Sequence, residues 1–365
     1  MLFKGNRKRP FAIVLILELI SAVKIFITGG AGFIGSNLVR LIIKETDQSV
    51  TNFDKLTYAG NPESLIDVEE SPRYEFIKGD LLDLAVTTEA LKKSGAEAII
   101  HLAAESHVDR SIDHPAPFIQ TNVLGTYNLL QASMEVLSQR DSSRTDHFRF
   151  LHVSTDEVFG SLHSAEQPFT ETSRYAPNSP YSASKASSDH LVRAWQSTFG
   201  LPALVTHCSN NYGPFQFPEK LIPVVILKCL QGEAIPVYGN GQNIRDWLFV
   251  EDHCRALLAV MEKGTLGETY NIGANHECSN LDLVQTVCRI MDQLHSKPGI
   301  ESYESLIHFV PDRPGHDFRY AMDSQKIRAE LDWKPQEKFN IGLAKTVKWY
   351  LDHPTWWRSI LAQQR

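Results

Sequence analysis

The segment Thr28–Gly35 (TGGAGFIG) limits what this chain can fold into more than any other. It follows a short apolar run, Val23–Thr28, and leads directly into a helix-like pattern. At such a junction Gly29 permits a tight turn, Gly32 lets the backbone approach a pyrophosphate, and Gly35 lets the helix pack closely on a sheet. The amides and dipole of the helix N-terminus favour an anion. The segment therefore predicts a dinucleotide-binding site.

Strand-like and helix-like segments alternate through the first half of the chain. Strand patterns cover Val23–Thr28, Ser49–Phe53, Tyr74–Lys78, Ala98–Leu102 and Phe148–Ser154, and helical spacing covers Phe33–Lys44, Leu84–Lys93, Phe118–Leu137 and Tyr181–Phe199. This alternation predicts an α/β fold with a doubly wound parallel (Rossmann) sheet. Ligands of such a sheet bind at the carboxyl ends of its strands.

The alternation weakens after about residue 208, where Pro, Gly and Asn become more frequent. The segment 210–214 (NNYGP), for example, has the composition of a loop. Apolar runs at Ala203–Thr206 and Glu268–Ile272 can return as strands to the main sheet. We therefore expect a smaller, mostly C-terminal substrate-binding domain without a clean boundary.

Asp54 ends the second predicted strand. A carboxylate at this position accepts hydrogen bonds from the hydroxyls of the adenosine ribose and repels a 2′-phosphate. The position therefore favours NAD over NADP as the cofactor. The neighbouring Lys55 weakens this preference, because its charge would attract a phosphate.

The sequence Tyr181-Ser-Ala-Ser-Lys185 opens a predicted helix just after Pro180. Spacing of i, i+4 places the phenol and the ammonium on one helix face. Lys185, together with a positively charged nicotinamide, would stabilise the phenolate of Tyr181. Tyr181 could then take a proton from a hydroxyl while a hydride leaves the same carbon. The spacing alone occurs on many helix surfaces, but after a dinucleotide motif it predicts a catalytic pair.

Together, TGGAGFIG and YSASK resemble the extended short-chain dehydrogenase/reductase family, whose members modify nucleotide sugars as epimerases, decarboxylases or dehydratases. The segment 154–160 (STDEVFG) follows an apolar strand and should lie beside the nicotinamide. Thr155 can hydrogen-bond a sugar, and Asp156 and Glu157 offer an acid–base pair. Elimination of water needs such a pair, whereas a simple epimerase does not. The segment therefore favours a dehydratase.

Long motifs extend this resemblance to the dTDP-glucose 4,6-dehydratases, from about Lys24 to about Trp357. They are FDKLTYAGN (53–61), HLAAESHVDRSI (101–112), CSNNYGPFQFPEKLIP (208–223), NIRDWLFVEDH (243–253) and PDRPGH (311–316). The resemblance implies conversion of dTDP-glucose to dTDP-4-keto-6-deoxy-glucose and water, by internal hydride transfer through bound NAD. It implies that Tyr181 is the base at C4, Glu157 the base at C5, and Asp156 the acid at the C6 hydroxyl.

The resemblance also implies the residues that contact the ligands. The cofactor contacts are Gly29, Gly32, Phe33, Ile34, Gly35, Asp54, Lys55, Thr57, Asp80, Leu81, Ala103, Ala104, Thr121, Tyr181, Lys185 and Asn211. The substrate contacts are Ser106, Thr155, Asn210, Lys220, Arg245, Asn271, Arg313 and His316. The two arginines would supply the positive charge that a diphosphate needs.

The domain division follows from these assignments. An extension over 1–22 lies outside the family resemblance, and an NAD-binding Rossmann domain covers 23–207. A mainly substrate-binding region covers 208–357, and a tail covers 358–365. Basic residues followed by an apolar run make the extension similar to a signal peptide. No cleavage site of the usual small-residue type follows, so we interpret it as a short extension or as the product of a start site placed too early.

Composition bears on partners and location. The net charge of −7 gives no overall attraction to nucleic acid or to an anionic membrane, so we expect neither as a partner. The five scattered cysteines have no CxxC spacing, which argues against a disulfide framework or a metal site and for the cytoplasm. Family resemblance implies a homodimer, in which Phe118–Leu137 and Tyr181–Phe199 pair across a two-fold axis as a four-helix bundle.

Two alternative functions remain open. The first is another nucleotide-sugar dehydratase or an epimerase that acts on a UDP-sugar. A UDP-sugar stays open as the substrate because the single methyl group that distinguishes thymine from uracil contributes only about 1–3 kcal/mol to discrimination. The second is a catalytically silent NAD-binding protein that has kept the fold. Retention of Tyr181, Lys185 and the two carboxylates argues against the silent protein.

Overall fold

A seven-stranded parallel sheet organises the computed structural model, which describes residues 23–140 and 147–363. Its strands lie in the order β10-β6-β5-β4-β1-β2-β3. Their bounds are β1 Lys24–Thr28, β2 Ser49–Asp54, β3 Tyr74–Lys78, β4 Ala98–His101, β5 Arg149–Thr155, β6 Ala203–Cys208 and β10 Thr269–Ile272. The parallel Rossmann sheet is therefore confirmed, and both apolar runs of the second half return to it as β6 and β10.

Helices cover both faces of this sheet, which produces a separate buried cluster on each side. In chain order they are α1 Phe33–Glu45, α2 Leu84–Ser94, α3 Val108–Asp113, α4 Ala116–Phe118, α5 Thr126–Ser138, α6 Pro180–Phe199, α7 Leu221–Gln231, α8 Val250–Lys263, α9 Asn280–Leu294, α10 Gln325–Leu331, α11 Phe339–Asp352 and α12 Pro354–Gln363. None of these described helices is long and apolar enough to cross a membrane.

The strand order reverses beside β1, which pairs with β2 on one side and with β4 on the other. The chain therefore leaves β1 toward one edge of the sheet and later returns to build the other edge from β4. A crevice opens at the carboxyl ends of the strands at such a switch point, and this is where α/β sheets bind their ligands. The Gly-rich turn of Thr28–Gly35 lies here, between β1 and α1.

The smaller C-terminal region contains two short sheets. Strands β7 (Asn210–Tyr212), β9 (Ile244–Phe249) and β11 (Glu277–Ser279) form one, and β8 (Ile235–Tyr238) and β12 (Ile307–Val310) form the other. The prediction of a loop over 210–214 was therefore wrong in part, because residues 210–212 pair in parallel with β9. The C-terminal region has an apolar cluster of its own, which lies between these strands and helices α7, α9 and α11. The predicted extension over 1–22 lies outside the described residues.

The predicted helix over Phe118–Leu137 contains a π-helical segment, Ile119–Gly125, between α4 and α5. Such π-segments are rare and occur often at functional sites. Within it, the buried Asn122 accepts a hydrogen bond from the Glu105 amide at 2.8 Å and donates to Ser184 Oγ at 2.8 Å. Asn122 thus links the loop after β4 to α6, and both of these elements border the cavity described below.

Candidate active site

A single cavity of about 620 Å³ lies at the carboxyl ends of the main-sheet strands and extends toward the C-terminal region. Every predicted catalytic residue lines it, namely Thr155, Asp156, Glu157, Tyr181 and Lys185. All predicted cofactor contacts line it as well, and so do seven of the eight predicted substrate contacts: Ser106, Thr155, Asn210, Lys220, Arg245, Arg313 and His316. Folding therefore brings together residues that are up to 287 positions apart, from Gly29 to His316.

The Gly-rich turn leaves an open cradle at one end of the cavity. Gly29 has φ +74°, and a Cβ there would lie 2.6 Å from the Ala103 nitrogen. A Cβ on Gly35 would collide with the carbonyl oxygen of Gly29. Gly32 precedes α1 without a side-chain cap, so the first amides of this helix stay available to an anion. This cradle fits a pyrophosphate.

Asp54 lies at the same end of the cavity. One carboxylate oxygen accepts a hydrogen bond from the Ala31 amide at 2.9 Å, and the other accepts one from the Leu56 amide at 2.8 Å. Burial raises the pKa of Asp54, and these two hydrogen bonds oppose that rise. Lys55 forms an ion pair with Asp80 at 2.6 Å, so its charge is already matched by a carboxylate. This pairing reduces the attraction that Lys55 would exert on a 2′-phosphate.

Tyr181 and Lys185 lie in the first turns of α6. Ser179 caps this helix through a reciprocal arrangement with Ser182, and Pro180 occupies its first position. Lys185 donates a hydrogen bond to the Val153 carbonyl of β5 at 2.9 Å, which fixes the ammonium against the sheet. Burial raises the pKa of Tyr181 well above its usual value, and a hydrogen bond with Thr155 opposes this. Positive charge is therefore needed to produce the phenolate.

Asp156 and Glu157 form a short 3₁₀ turn, Asp156–Phe159, directly after β5. Thr155 caps this turn by accepting a hydrogen bond from the Glu157 amide at 3.3 Å. Burial raises the pKa of both carboxyl groups. The turn therefore presents two carboxyl groups of raised pKa to the cavity, next to Tyr181.

Basic side chains gather at the other end of the cavity. Arg245 is 5% exposed, donates to the carbonyl of Asp317 at 2.9 Å, and lies 4.2 Å above the ring of Tyr320. Arg313 pairs with Asp109 at 3.0 Å, while its Nε is buried without a hydrogen-bond partner among the described residues. Lys220 donates to the Ser106 carbonyl at 3.0 Å. This local positive charge suits a diphosphate despite the net negative charge of the chain.

The structure does not bring Asn271, a predicted substrate contact, together with the others. Asn271 is fully buried in β10, outside the cavity lining, and its side chain donates to the Phe169 carbonyl at 3.0 Å. Asn280, which sequence reasoning missed, lines the cavity and keeps a buried side-chain oxygen without a partner in the described part of the chain. The helix-capping pattern Ser279-x-x-Asp282 could have placed Asn280 at a helix start.

Aromatic residues that no motif indicated also line the cavity. Tyr320 is 2% exposed and donates a hydrogen bond to Asp317 at 2.5 Å, while its ring supports Arg245. Trp247 of β9 and Phe217 of the loop before α7 line the same region. These side chains arrive from separate loops and strands, so sequence spacing does not connect them with the other residues of the cavity lining.

The fold and the cavity together define a short-chain dehydrogenase/reductase that modifies nucleotide sugars. A sequence model of the GDP-mannose 4,6 dehydratase family matches residues 26–346. Among solved structures, a dTDP-glucose 4,6-dehydratase from Streptomyces venezuelae with NAD and TYD bound is similar, with a TM-score of 0.84 and 42% identity over 93% of this chain and 100% of that chain. A dTDP-glucose 4,6-dehydratase from Bacillus anthracis in complex with NAD has a TM-score of 0.82 and 40% identity, over 93% and 100% of the two chains.

Sequence relatives give a finer assignment. A dTDP-glucose 4,6-dehydratase of Neisseria meningitidis is 57% identical over 340 residues, which are 93% of this chain and 96% of the relative. The dTDP-glucose 4,6-dehydratase 1 of Escherichia coli K12 is 56% identical over 342 residues, 92% and 94% of the two chains. This chain belongs to the dTDP-glucose 4,6-dehydratase family.

Proposed function

We propose that this chain converts dTDP-glucose to dTDP-4-keto-6-deoxy-glucose and water, as an NAD-dependent hydro-lyase. The observation that carries the proposal is the presence of Asp156 and Glu157 in the same cavity as the Tyr181–Lys185 pair. A UDP-glucose 4-epimerase from Thermotoga maritima has a similar fold, with a TM-score of 0.79 at 27% identity. The fold therefore does not separate the two reactions, but the carboxyl pair favours elimination.

The residues present fit NAD. The glycine cradle would hold the pyrophosphate at the N-terminus of α1, and Asp54 would face the adenosine ribose. Lys185 and Tyr181 would lie beside the nicotinamide at the other end of this site. When bound, NAD supplies the site that accepts a hydride from the sugar and later gives it back, so the reaction is redox-neutral overall.

Three side chains would move the protons. Tyr181, as a phenolate stabilised by Lys185, takes the proton of the C4 hydroxyl as the C4 hydride leaves. The resulting 4-keto group acidifies the C5–H bond, and Glu157 removes that proton. Asp156 gives its proton to the C6 hydroxyl, so that the C6–O bond breaks and water leaves. When the hydride adds to C6, Glu157 gives a proton back to C5. The net loss from the sugar is then the C4 hydroxyl proton and the C6 hydroxyl, which together make one water.

The substrate would lie with its diphosphate against Arg245 and Arg313 and its sugar against the turn of Thr155–Glu157. The remaining cavity-lining contacts, from Ser106, Asn210, Lys220 and His316, would fix its orientation. The unpartnered oxygen of Asn280 provides a further acceptor. A cavity with this distribution of charge holds a nucleoside diphosphate sugar in one direction only, because the two ends differ in chemistry.

We also propose a homodimer. Tyr127 of α5 contacts Trp195 of α6 with ring centroids 5.8 Å apart, and Trp195 contacts Phe199 at 5.3 Å. Leu124, Tyr127 and Phe199 are 49%, 37% and 55% exposed, so this aromatic row continues onto an apolar surface. A second copy would cover it by pairing α5 and α6 across a two-fold axis. The cytoplasmic location inferred from the cysteine pattern stays a prediction.

Two experiments test these proposals. Purified, NAD-loaded protein is incubated with dTDP-glucose or with UDP-glucose, and the 4-keto-6-deoxy product is measured. Turnover of dTDP-glucose without net accumulation of NADH is expected, and no turnover of either sugar would reject the proposed function.

Sedimentation should give a dimer for the parent protein, and a Leu124→Asp, Phe199→Ser variant should sediment as a monomer. A parent protein that is monomeric at micromolar concentration would reject the dimer.

A further inference from the structure

Asp189 is a fully buried carboxylate on α6 that the proposed reaction does not use. It follows Lys185 by one helical turn, as Lys185 follows Tyr181, so all three side chains share one face of the helix. Carboxylates are almost never fully buried unless they are paired. The surroundings of Asp189 therefore show what holds its charge.

Contacts from three parts of the chain converge on Asp189. Its Oδ2 accepts hydrogen bonds from Ser154 Oγ at 2.9 Å and from the Tyr175 hydroxyl at 3.1 Å. The Nε2 atom of His207 lies 3.1 Å from the same oxygen. The Nε2 atom of His152 lies 3.1 Å from Oδ1. Asp189 thereby joins α6 to β5, to β6 and to the loop before α6.

These contacts keep Asp189 ionised. Burial alone would raise its pKa, but the interactions with His152 and His207 outweigh burial and hold the pKa well below the usual value. Burial lowers the pKa of Lys185, and the negative charge of Asp189 is the largest influence that opposes this. The charge of Asp189 therefore acts on the ammonium of the catalytic pair.

The titratable groups around this cluster come from every neighbouring element. They are His101 on β4, His152 on β5, Asp156 and Glu157 in the turn after β5, Tyr175 in the loop before α6, and His207 and Cys208 on β6. Burial lowers the pKa of His152 to about 4 and raises that of Cys208 to about 12, so both are neutral near pH 7. Burial also lowers the pKa of His101 well below its usual value.

We propose that Asp189 is a positioning residue for the Tyr181–Lys185 pair, acting as the buried counter-charge that keeps Lys185 protonated. Its bond to Ser154 also fixes α6 against the end of β5, where the Thr155–Glu157 turn begins. The inference rests on the proposed function, because protonated Lys185 matters only if Tyr181 acts as a base. Without the carboxylate, Lys185 loses its proton at lower pH, and the phenolate loses its stabilising charge.

The test isolates the first half-reaction. In a Glu157→Gln background, elimination is blocked and oxidation at C4 is followed in a single turnover by the absorbance of reduced nicotinamide. The rate is measured from pH 6 to pH 10 with NAD-loaded protein and dTDP-glucose. Adding Asp189→Asn should move the high-pH decline of this rate downward by about 1 pH unit or more. The apparent affinity for dTDP-glucose should change by no more than about twofold.

A matched control is Tyr175→Phe in the same background. It removes one hydrogen bond to Asp189 but keeps the carboxylate, so the midpoint of the decline should stay within about 0.3 pH unit of the parent. Asp189→Glu also keeps the charge and should retain the parent midpoint even if the rate falls. This variant decides the question if Asp189→Asn fails to fold.

An unchanged midpoint in Asp189→Asn, or an equal loss of rate at every pH, would overturn the inference and leave a merely structural role. A midpoint that falls in Asp189→Glu would overturn it too. Parent protein without the Glu157 substitution is assayed in parallel on dTDP-glucose. If that protein is inactive, the proposed function fails and the inference fails with it, whereas active protein with an unchanged midpoint rejects the inference alone.

Discussion

Asp156 and Glu157 are adjacent in the chain, but three basic side chains act on Glu157, whereas only Arg245 among them acts on Asp156. Asp156 is 2% exposed, and burial together with the charge of Glu157 raises its pKa well above the usual value. Burial also raises the pKa of Glu157, but Arg313, Arg245 and Lys220 oppose that rise. Two neighbouring carboxyl groups with different surroundings can act as acid and base in one reaction. Asp156 is therefore suited to give a proton and Glu157 to take one.

We expect the buried Asp156 to lower the free energy of unfolding at pH values where its carboxyl group would be ionised in the unfolded chain. Its raised pKa means that the folded state binds this proton more tightly than the unfolded chain, so its contribution to stability is present at low pH and is lost as pH rises through the folded pKa. Asp156→Asn keeps the shape and removes the titration. We expect the variant to be inactive but more stable than the parent by about 1 kcal/mol at pH 8, with a smaller difference at pH 5.

Thermal unfolding at the two pH values measures this effect. Asp47→Asn, at an exposed position, serves as the control and should leave the unfolding temperature unchanged at both. An Asp156→Asn protein that unfolds at lower temperature than the parent at pH 8 would contradict the view that burial of the ionised Asp156 carboxylate destabilises the fold.

Removal of the Tyr181 hydroxyl should stop the reaction at its first step. Tyr181→Phe keeps the ring in place but removes the base that accepts the C4 proton, so we expect kcat to fall by about 10²–10⁴-fold. NAD binding should stay close to that of the parent. Product formation and NAD content are measured together, with Tyr74→Phe, outside the cavity lining, as control. A loss smaller than tenfold would show that another group takes the proton.

The glycine cradle should tolerate no side chain at Gly35. A Cβ there meets the carbonyl oxygen of Gly29, so Gly35→Ala must displace the turn or the helix. We expect loss of bound NAD and a lower unfolding temperature. Gly200→Ala is the matched control, because Gly200 has φ +72° but nothing within 4 Å of a new Cβ. The control should lose about 1 kcal/mol of stability yet retain NAD, and equal NAD loss in both variants would contradict the role of the cradle.

Arg313 should contribute to substrate affinity more than to the chemical step. Its Nε is buried without a partner in the described residues, which leaves a donor for a phosphate oxygen. Arg313→Ala is expected to raise KM for dTDP-glucose by about 10- to 100-fold, since a hydrogen bond to a charged group contributes about 1.5–3 kcal/mol. Steady-state kinetics measures this, with Arg289→Ala on the exposed face of α9 as control. A change confined to kcat would contradict the assignment.

Most of the site could be predicted because its chemistry lies in contiguous motifs. The glycine turn, the Thr155–Glu157 segment and the Tyr181–Lys185 pair each follow or open a regular element, so their places at the sheet edge follow from the strand–helix pattern. Asn271 lies outside the cavity lining. Successive side chains of a strand point to opposite faces, and the sequence alone does not show which face of the edge strand β10 meets the cavity.

Other features depend on contacts between distant parts of the chain. Residues 210–212 form a strand only because β9 lies beside them, and their Asn-rich sequence gives no strand pattern by itself. Tyr320 reaches Arg245 from a loop 75 positions away, and the cluster around Asp189 joins side chains from β5, β6 and α6. Tertiary packing rather than local spacing determines these contacts.

We propose that one cavity serves three steps, which are removal of a hydride from C4, elimination of water across C5 and C6, and delivery of the same hydride to C6. The most direct test uses dTDP-glucose carrying deuterium at C4, in ordinary water, with mass and NMR analysis of the product. We expect the deuterium to be recovered at C6 of the 4-keto-6-deoxy product. Deuterium that is retained at C4, as a simple epimerase would leave it, or that is lost to the solvent would rule out this internal hydride transfer.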